Sequence, residues 1–336
     1  MKILFIGGTG IISSACTQLA AERGIDLFLL NRGQTTKRGP LPQGVKVLNG
    51  DIREKSSAQE ALREHQFDAV VDWIAFVPQH IKLDLEIFYE RTRQYVFISS
   101  ASAYQTPPAG LPVTESTVLD NPIWKYSQNK IACEEMLVSA YRQDKFPITI
   151  VRPSHTYDKT LLPFDGGYTV VDRMRKGKPV IVHGDGTSLW TLTHHKDFAH
   201  AFLGLLGNPH AIGESFHITG DEWLSWNQIY RLVGAAAGIP NPKLVHIPSE
   251  LIAAYDPNWG AGLIGDKAHS MIFDNTKIKR LVPDYVARIP FAQGANEIIE
   301  WYDADPSRQV VDESLDALMD EIIENYQKAN PNFSIK

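Results

Sequence analysis

Twelve residues decide the fold, Lys2-Ile-Leu-Phe-Ile-Gly7-Gly8-Thr9-Gly10-Ile-Ile-Ser13. Residues 2–6 are predicted to form a buried strand, the glycines a tight turn, and residues 11–23 a helix that ends at Gly24. A second strand is predicted at residues 25–30, so the unit has the length of a β-α-β crossover. We therefore expect a Rossmann-type α/β fold, a doubly wound parallel sheet with helices on both faces.

The same alternation continues along the first half of the chain. Strands are predicted at residues 45–48, 69–73, 95–99 and 148–152, and helices at 56–65, 80–91 and 126–142. Beyond residue 155 the pattern weakens, and the remaining predictions are strands at 179–182 and 215–218 and helices at 169–176, 225–237 and 310–328. Residues 256–266 are rich in turn formers and are predicted to be a mobile lid.

Two domains are expected. Residues 1–155, with about 183–215, form the dinucleotide-binding domain, and about 156–182 with 216–330 form a smaller C-terminal α/β substrate-binding domain.

The composition is that of an ordinary globular protein. Lys and Arg number 33 against 39 Asp and Glu, a net charge of −6, which argues against binding to nucleic acid or to an anionic membrane. No stretch reaches the roughly 18 apolar residues of a membrane span. With only Cys16 and Cys133, a disulfide framework is not expected, no metal site is indicated, and a cytoplasmic location is predicted.

The glycine turn has the position of a phosphate-binding loop. Gly7 permits the sharp turn, and Gly10 allows a pyrophosphate to approach the backbone at the start of a helix. Ser13 replaces the third glycine of the usual fingerprint and is still small enough for helix and strand to pack closely. The alternative is a glycine turn without a ligand. We expect cofactor contacts from Gly7, Thr9, Gly10, Ile11 and Ile12.

The end of the second strand bears on cofactor choice. Asn31-Arg32 stands where an acidic residue would bind the ribose hydroxyls of NAD, and Arg32 could bind a 2′-phosphate. The prediction is NAD(P), with NADP slightly favoured over NAD. Alternatively, Arg32 is a solvated residue or stacks on adenine without discriminating.

Proton-transfer chemistry is indicated by Tyr126 and Lys130, which lie four residues apart and so share one helix face. A nearby ammonium favours the phenolate and is expected to lower the pKa of the tyrosine. Ser100 follows a predicted strand, at the sheet edge where ligands bind, and could steady a substrate oxygen. The plainer interpretations are a helix-surface pair and turn-forming serines.

Five short motifs occur in one order along the chain. They are Gly-Gly-Thr-Gly-x-Ile at residues 7–12, Gly50-Asp51-Ile52, Ser99-Ser100-Ala101-x-x-Tyr104, Tyr126-x-x-x-Lys130 and Arg152-Pro153. With these motifs in this order, the sequence resembles the extended short-chain dehydrogenase/reductases, which are the NAD(P)-dependent sugar epimerase/dehydratase family. The resemblance continues through Gly184-Asp185-Gly186 and covers about two-thirds of the chain.

The resemblance implies roles by position. Ser100, Tyr126 and Lys130 match the catalytic residues, and the helices at about 80–91 and 126–142 would permit a homodimer. The implied cofactor contacts beyond the glycine turn are Asn31, Arg32, Asp51, Ile52, Trp73, Ile74, Ala75, Tyr126, Lys130, Pro153 and His155. The implied substrate contacts are Ser100, Ser102, Tyr104, His155, Trp190 and His194.

Three departures from the family pattern stand out. The acidic NAD signal is missing at Asn31-Arg32, and the helix at 80–91 lacks the usual asparagine. Trp190 stands where nucleotide-sugar enzymes carry an arginine for the diphosphate. Similar departures occur in an atypical branch that includes poorly characterised epimerase-like proteins and chloroplast stem-loop RNA-binding proteins.

The leading hypothesis is an NAD(P)-dependent enzyme that acts on a hydroxyl or keto carbon of a sugar-like molecule, with Tyr126 as general acid/base. Whether it is an epimerase, a dehydratase or a dehydrogenase stays open. The alternatives are an NADPH-dependent reductase of a non-sugar carbonyl and a non-catalytic, cofactor-sensing or RNA-binding relative. Lys267 and His269 are expected to close over the substrate.

Overall fold

The computed structural model describes residues 1–33 and 39–331. The strands are β1 (Lys2–Ile6), β2 (Asp26–Asn31), β3 (Lys46–Asn49), β4 (Ala69–Asp72), β5 (Tyr95–Ile98), β6 (Ile148–Pro153), β7 (His155–Tyr157), β8 (Val180–His183), β9 (Leu189–Trp190), β10 (Leu192–His194), β11 (Ser215–Ile218), β12 (Leu224–Ser225) and β13 (Leu244–Ile247). The helices are α1 (Ile11–Glu22), α2 (Lys55–Leu62), α3 (Pro78–Phe88), α4 (Lys125–Asp144), α5 (Tyr168–Arg175), α6 (His195–Leu203), α7 (Trp226–Ala236), α8 (Ser249–Tyr255), α9 (Pro257–Gly262), α10 (Thr276–Leu281), α11 (Phe291–Asp303) and α12 (Glu313–Ala329).

Seven of these strands form one parallel sheet in the order β11-β6-β5-β4-β1-β2-β3. Residues 3–6 of the inner strand β1 are all fully buried, as expected for a parallel sheet covered on both faces. The strand order reverses between β1 and β4, which opens a crevice at the carboxyl ends of the strands. The predicted doubly wound Rossmann-type fold is confirmed.

The rest of the chain builds on that edge with short strand pairs rather than a second large sheet. The pairs are β8 with β13, β7 with β10, and β9 with β12. A separate hydrophobic core, which includes Tyr157, Trp226 and Phe291, lies beneath them. The division into two domains stays a prediction. Its boundary at about residue 215 cuts through β11, which belongs to the large sheet.

The segment predicted to be a mobile lid is helical. Residues 257–262 form α9, and Leu263–Lys267 continue as a π-helical turn. Trp259 and Leu263 are buried, and the Lys267 carbonyl accepts hydrogen bonds from the side chains of three other residues. The expected turn-rich loop is therefore wrong, because buried apolar residues and tertiary hydrogen bonds stabilise a helical segment here, whereas its mobility stays a prediction.

The predicted dimer helices α3 and α4 pack beside each other. Ile87 and Leu137 are buried in the core between the helices and the sheet, so they are not available to a partner. A homodimer stays a prediction. Cys16 and Cys133 are both free and buried. Within the described residues, no helix combines the length and hydropathy needed to cross a membrane.

Gly8 gives a test of the turn that starts the fold. Its φ is +93°, and an added Cβ would lie 2.7 Å from Cδ2 of Leu29. We expect Gly8→Ala to lower the free energy of unfolding by about 2–3 kcal/mol, through backbone strain and crowding together. Urea-induced unfolding measures the change.

Two further variants separate the causes. Gly24 has φ +67° with nothing within 4 Å of an added Cβ, so Gly24→Ala reports the strain alone. Gly110 has open space and no left-handed φ, and Gly110→Ala should stay within about 0.5 kcal/mol of the wild type. Equal effects at positions 8 and 110 would contradict this account of the turn.

Candidate active site

The glycine turn opens at the centre of the crevice. Gly7 and Gly8 both have left-handed φ, and the Gly8 carbonyl accepts a hydrogen bond from Oγ1 of Thr17 at 2.7 Å. The Gly10 amide donates to Oγ of Ser13 at 2.7 Å, and α1 begins at the next residue. The sequence analysis did not name Gly8 as a site residue, although a Cβ is least tolerated there within the turn.

This turn forms one end of a cavity of about 640 Å³. The cavity is also bordered by residues at the ends of β2, β3 and β4. It is lined by Gly7, Gly8, Thr9, Gly10, Ile11, Ile12, Ser13, Leu30, Asn31, Arg32, Gly50, Asp51, Ile52, Arg53, Trp73, Ile74, Phe76 and Ile98. A helix N-terminus at such a cavity offers unpaired amides and a positive dipole end to an anion.

Arg32 and Asp51 face each other at the far end of this cavity. Nη1 of Arg32 lies 3.8 Å from Oδ2 of Asp51, and the Arg32 side chain is 63% exposed. Asp51 also accepts a hydrogen bond from the Arg53 amide at 2.9 Å, while Oδ1 of Asn31 accepts one from the Gly33 amide. Among residues 1–33 and 39–331, the contact that the Arg32 guanidinium makes is therefore this one long ion pair.

A second cavity, of about 390 Å³, contains the predicted catalytic residues. It is lined by Ile12, Trp73, Phe76, Ile98, Ser99, Ser100, Ala101, Ser102, Trp124, Tyr126, Lys130, Pro153, Ser154, His155, Thr156, Leu161, Trp190, Thr191, Asp266, Lys267, Met271 and Phe273. Ile12, Trp73, Phe76 and Ile98 line both cavities, so the two form one continuous groove.

Lys130 is anchored beneath this groove. Its Nζ donates to the carbonyl oxygens of Ala75 and Ile98, both at 2.7 Å. The predicted cofactor contact Ala75 is fully buried, and its carbonyl is held by this bond. Burial lowers the pKa of Lys130 to about 8.

Tyr126 lies one helical turn before Lys130, and the Lys130 Nζ is 5.8 Å from the centre of its ring. The pKa of Tyr126 is raised by burial, a hydrogen bond with Ser100 works in the opposite direction, and the charge of Asp266 raises it further. The expectation that the ammonium lowers this pKa is therefore wrong here. The phenol is therefore protonated at neutral pH.

Ser100 belongs to a chain of hydroxyl groups. Its Oγ lies 2.9 Å from Oγ of Ser102, which accepts a hydrogen bond from Oγ of Ser127 at 2.7 Å. Ser127 is fully buried and adjoins Tyr126 on α4. These hydrogen-bonded hydroxyl groups therefore extend from the Tyr126 phenol through Ser100 and Ser102 to Ser127, which is also on α4.

His155 faces the same cavity, next to Pro153 and Ser154. Burial and the nearby charge of Lys267 lower the pKa of His155 to about 3. The imidazole is thus neutral at physiological pH, so one ring nitrogen can donate a hydrogen bond and the other can accept one.

The structure corrects two predicted substrate contacts. Tyr104 is fully buried, its hydroxyl hydrogen bonds to His217 and Arg152, and it does not line the cavity. His194 ends β10, caps the N-terminus of α6 and bonds to Glu297 at 3.1 Å, with no exposed side-chain surface. Both side chains hold the framework together and do not face a ligand.

Trp190 does line the cavity, with its ring against Trp226 at a centroid distance of 5.5 Å. Its indole nitrogen is buried without a hydrogen-bond partner in the part of the chain that the structure describes. Lys267 also lines the cavity, as predicted, whereas His269 bonds to the Ile264 carbonyl and does not.

Asp266 and Trp124 are cavity residues that sequence reasoning missed. Asp266 follows Gly265 in the π-helical turn, in a segment whose composition suggested only a loop. The adjacent charged pair Asp266-Lys267 was the one available signal. Among residues 1–33 and 39–331, no group of three or more His, Cys, Asp or Glu side chains is arranged to hold a metal ion.

The chain is similar in sequence and in fold to known proteins. The profile of the NAD dependent epimerase/dehydratase family matches residues 3–219. The chain is 26% identical over 294 residues to 2'-dehydrokanamycin reductase of Streptomyces kanamyceticus, covering 86% of this chain and 81% of that protein.

The chain is also 27% identical over 261 residues to the chloroplast stem-loop binding protein of 41 kDa b of Arabidopsis thaliana. That alignment covers 73% of this chain but only 65% of the plant protein, slightly under two thirds of its length. Among solved structures, UDP-glucose 4-epimerase of Thermotoga maritima with UDP-glucose has a TM-score of 0.72 at 19% identity, over 90% of this chain and 99% of that chain. At this identity the likeness shows the fold.

The neutral His155 predicts a pH-dependent contribution to stability. Below pH 6.5 the unfolded chain binds a proton at this residue, whereas the folded protein does so only near pH 3. Stability is therefore lost as the pH falls through this range, by about 1.4 kcal/mol per pH unit for the one proton. Replacing His155 with Gln should remove this part of the slope.

Urea unfolding of both proteins between about pH 6.5 and pH 4.5 measures the difference in slope. The exposed His210, changed to Gln, is the matched control for losing an imidazole. Parallel slopes for the wild type and His155→Gln would show that His155 gains its proton in the folded state.

Proposed function

The chain belongs to the NAD dependent epimerase/dehydratase family, and on that premise we propose that it is an NADP-preferring oxidoreductase. Its substrate carries a hydroxyl or keto carbon and is sugar-like, without a nucleotide diphosphate. Tyr126 is the general acid/base, and reduction of the ketone is the favoured direction.

The main support for this proposal is the continuous groove that runs from the glycine turn to Tyr126. A dinucleotide laid along it would place its phosphates at the start of α1 and its reactive end beside Ser100, Tyr126 and Lys130. The phenol lines the groove and is not turned into the protein interior.

The groove fits an NAD(P) cofactor in its chemistry as well as its shape. Glycines with left-handed φ leave the backbone open to pyrophosphate, and the buried Nε1 of Trp73 has no hydrogen-bond acceptor within the described residues. The Arg32 side chain at the end of β2 is mostly exposed to solvent. Its guanidinium can therefore pair with a 2′-phosphate, the group that distinguishes NADP from NAD. When bound, NADPH would supply the hydride that the substrate carbonyl carbon accepts.

The side chains in the second cavity transfer the proton and orient the substrate. The protonated Tyr126 donates its proton to the carbonyl oxygen as the carbonyl π bond is lost, and Ser100 orients that oxygen. The resulting phenolate is stabilised by the hydrogen bond from Ser100, which Ser102 and Ser127 polarise in turn. His155 and the neighbouring Lys267 are placed to bind other substrate oxygens.

The substrate class follows from the cavity wall. Trp190 presents an indole where the family pattern has an arginine, and an indole cannot neutralise a diphosphate. An aromatic wall with an unpartnered N–H suits the ring and hydroxyl oxygens of a sugar. The similarity to a reductase named for an aminoglycoside is consistent with a substrate that lacks a nucleotide.

RNA binding is the second candidate, because of the similarity to the chloroplast stem-loop binding protein. The net charge of −6 disfavours it, since neutralising phosphates requires a positive surface. The groove with its assembled Ser100, Tyr126 and Lys130 favours the enzyme.

Tyr126→Phe tests the proton donor. It removes one oxygen atom, so NADPH binding should persist while turnover falls by at least about 1,000-fold. The assay follows NADPH absorbance at 340 nm with methyl α-D-xylo-hexopyranosid-4-ulose, a keto sugar without a diphosphate. Tyr89→Phe, at an exposed tyrosine that caps the C-terminal end of α3 and lines neither cavity, is the matched control. Retained turnover in Tyr126→Phe would refute the assignment.

Arg32→Ala tests the cofactor preference. Loss of a charge-assisted pair with the 2′-phosphate should weaken NADPH binding by about 10- to 100-fold and change NADH binding by less than about threefold. Fluorescence titration with each nucleotide measures both affinities. Arg93→Ala, 86% exposed at its side chain and remote from the groove, is the control. Equal losses for the two nucleotides would end the NADP proposal.

A further inference from the structure

Asp266 is a carboxylic acid on the wall of the cavity that holds Tyr126 and Ser100. Neither a hydrogen bond nor an ion pair to its side chain is formed by the residues that the structure describes. Most carboxylates in the structure have such partners, and a half-buried one facing a cavity is left available to a ligand. No step of the proposed reduction uses it.

The backbone holds Asp266 firmly in this position. The carbonyl of the preceding Gly265 accepts a hydrogen bond at 2.7 Å from Asn121, whose side chain also bonds to the Ser102 carbonyl and the Trp124 amide. A Cβ at Gly265 would lie 2.7 Å from Cβ of Trp124. Asn121 therefore fixes the Asp266 turn against the serine turn and the start of α4.

On its other side, the Lys267 carbonyl accepts hydrogen bonds from His183, Ser188 and Trp226. The Lys267 ammonium lies 3.9 Å from Asp165, away from a direct pair with Asp266. The carboxylate thus keeps a fixed position without being neutralised by its neighbour.

The charged and titratable groups around Asp266 set its protonation. Burial raises the pKa of Asp266 to about 7, and the charge of Lys267 works against this. Tyr126, Lys130 and His155 complete the titratable lining of the cavity, and Asp266 raises the pKa of Tyr126 in turn. Near neutral pH the carboxyl is present in both forms, as a group that must both take and return a proton requires.

The geometry points to Asp266 as a second proton-transfer residue, acting on the carbon next to the substrate carbonyl. This rests on the proposed function, because a keto sugar held by Ser100 and Tyr126 has its most acidic C–H bond on that carbon. The family profile ends at residue 219, well before this residue.

The proton transfer from this carbon requires no added oxidant, reductant or other reagent. The carboxylate takes the proton from the adjacent carbon, the C–H electron pair forms a C=C bond, and the carbonyl π pair moves to oxygen, which Tyr126 protonates. In the reverse direction Asp266 returns a proton to carbon and Tyr126 recovers its own. The net result is exchange of this hydrogen with solvent, with retention of configuration, because Asp266 returns the proton to the face from which it took it.

The test uses the full chain with NADP⁺ in D₂O and the probe methyl α-D-xylo-hexopyranosid-4-ulose. NMR follows deuterium incorporation at the carbons beside the ketone, and NADPH-dependent reduction of the same probe is measured separately. In Asp266→Asn we expect the ratio of the exchange rate to the reduction rate to fall at least tenfold, with partial recovery in Asp266→Glu. Asp165→Asn, which also removes a carboxylate near Lys267 but none from this cavity, should keep the wild-type ratio.

The outcomes separate the two proposals. Reduction without exchange in the wild type, or an unchanged ratio in Asp266→Asn, overturns the role of Asp266 and leaves the proposed function standing. Absence of reduction overturns the proposed function. Dicyclohexylcarbodiimide, which modifies protonated carboxyls in apolar surroundings, gives a substrate-free check. Labelling of Asp266 near pH 7, located by peptide mass spectrometry, supports the inference, and no labelling overturns it.

Discussion

The two hydrogen bonds from the Lys130 ammonium are the constraint on which the site depends. They tie the backbone after β4, at Ala75, to the end of β5, at Ile98, and so fix the spacing of two strands whose ends line the groove. Phe76 and Phe97 place their rings 4.7 and 4.9 Å from the same ammonium. Two carbonyls and two aromatic faces offset part of the cost of burying a charge, and the pKa lowered to about 8 reflects the part that remains.

The first half of the fold could be predicted from the sequence because its information is local. Each buried strand reads as a short apolar run, and each helix between strands carries its own periodic face. The second half is different. Helices α6, α8, α9, α10 and α11 were not predicted, and β8 pairs with β13 about sixty residues further along the chain. Such elements are stabilised by contacts remote in sequence, which periodicity within a short window does not reveal.

The same distinction explains the site. The glycine turn, Ser100, Tyr126 and Lys130 were located because they follow strand ends or share one helix face, and those relations are visible in the sequence. Tyr104 and His194 were misassigned because each forms a hydrogen bond to a residue far away in the sequence. These partners are His217 for Tyr104 and Glu297 for His194. Asp266 was missed for the converse reason, since the turn that presents it is shaped by Asn121, 144 positions from the carbonyl it binds.

Burial acts in one direction throughout the cavity, against charge. It raises the pKa of Tyr126 and Asp266 and lowers that of Lys130 and His155. An acid with a raised pKa keeps its proton at neutral pH, whereas the lysine, with its pKa lowered to about 8, still carries its charge there and donates hydrogen bonds to two carbonyls. Near neutral pH the cavity therefore holds Tyr126 as a phenol and His155 as a neutral imidazole, while the Asp266 carboxyl is present in both forms. The proposed proton transfer forms the Tyr126 phenolate, so the same burial that raises the pKa of this phenol must be offset by the hydrogen bond with Ser100 and by the Lys130 ammonium, 5.8 Å from the ring centre.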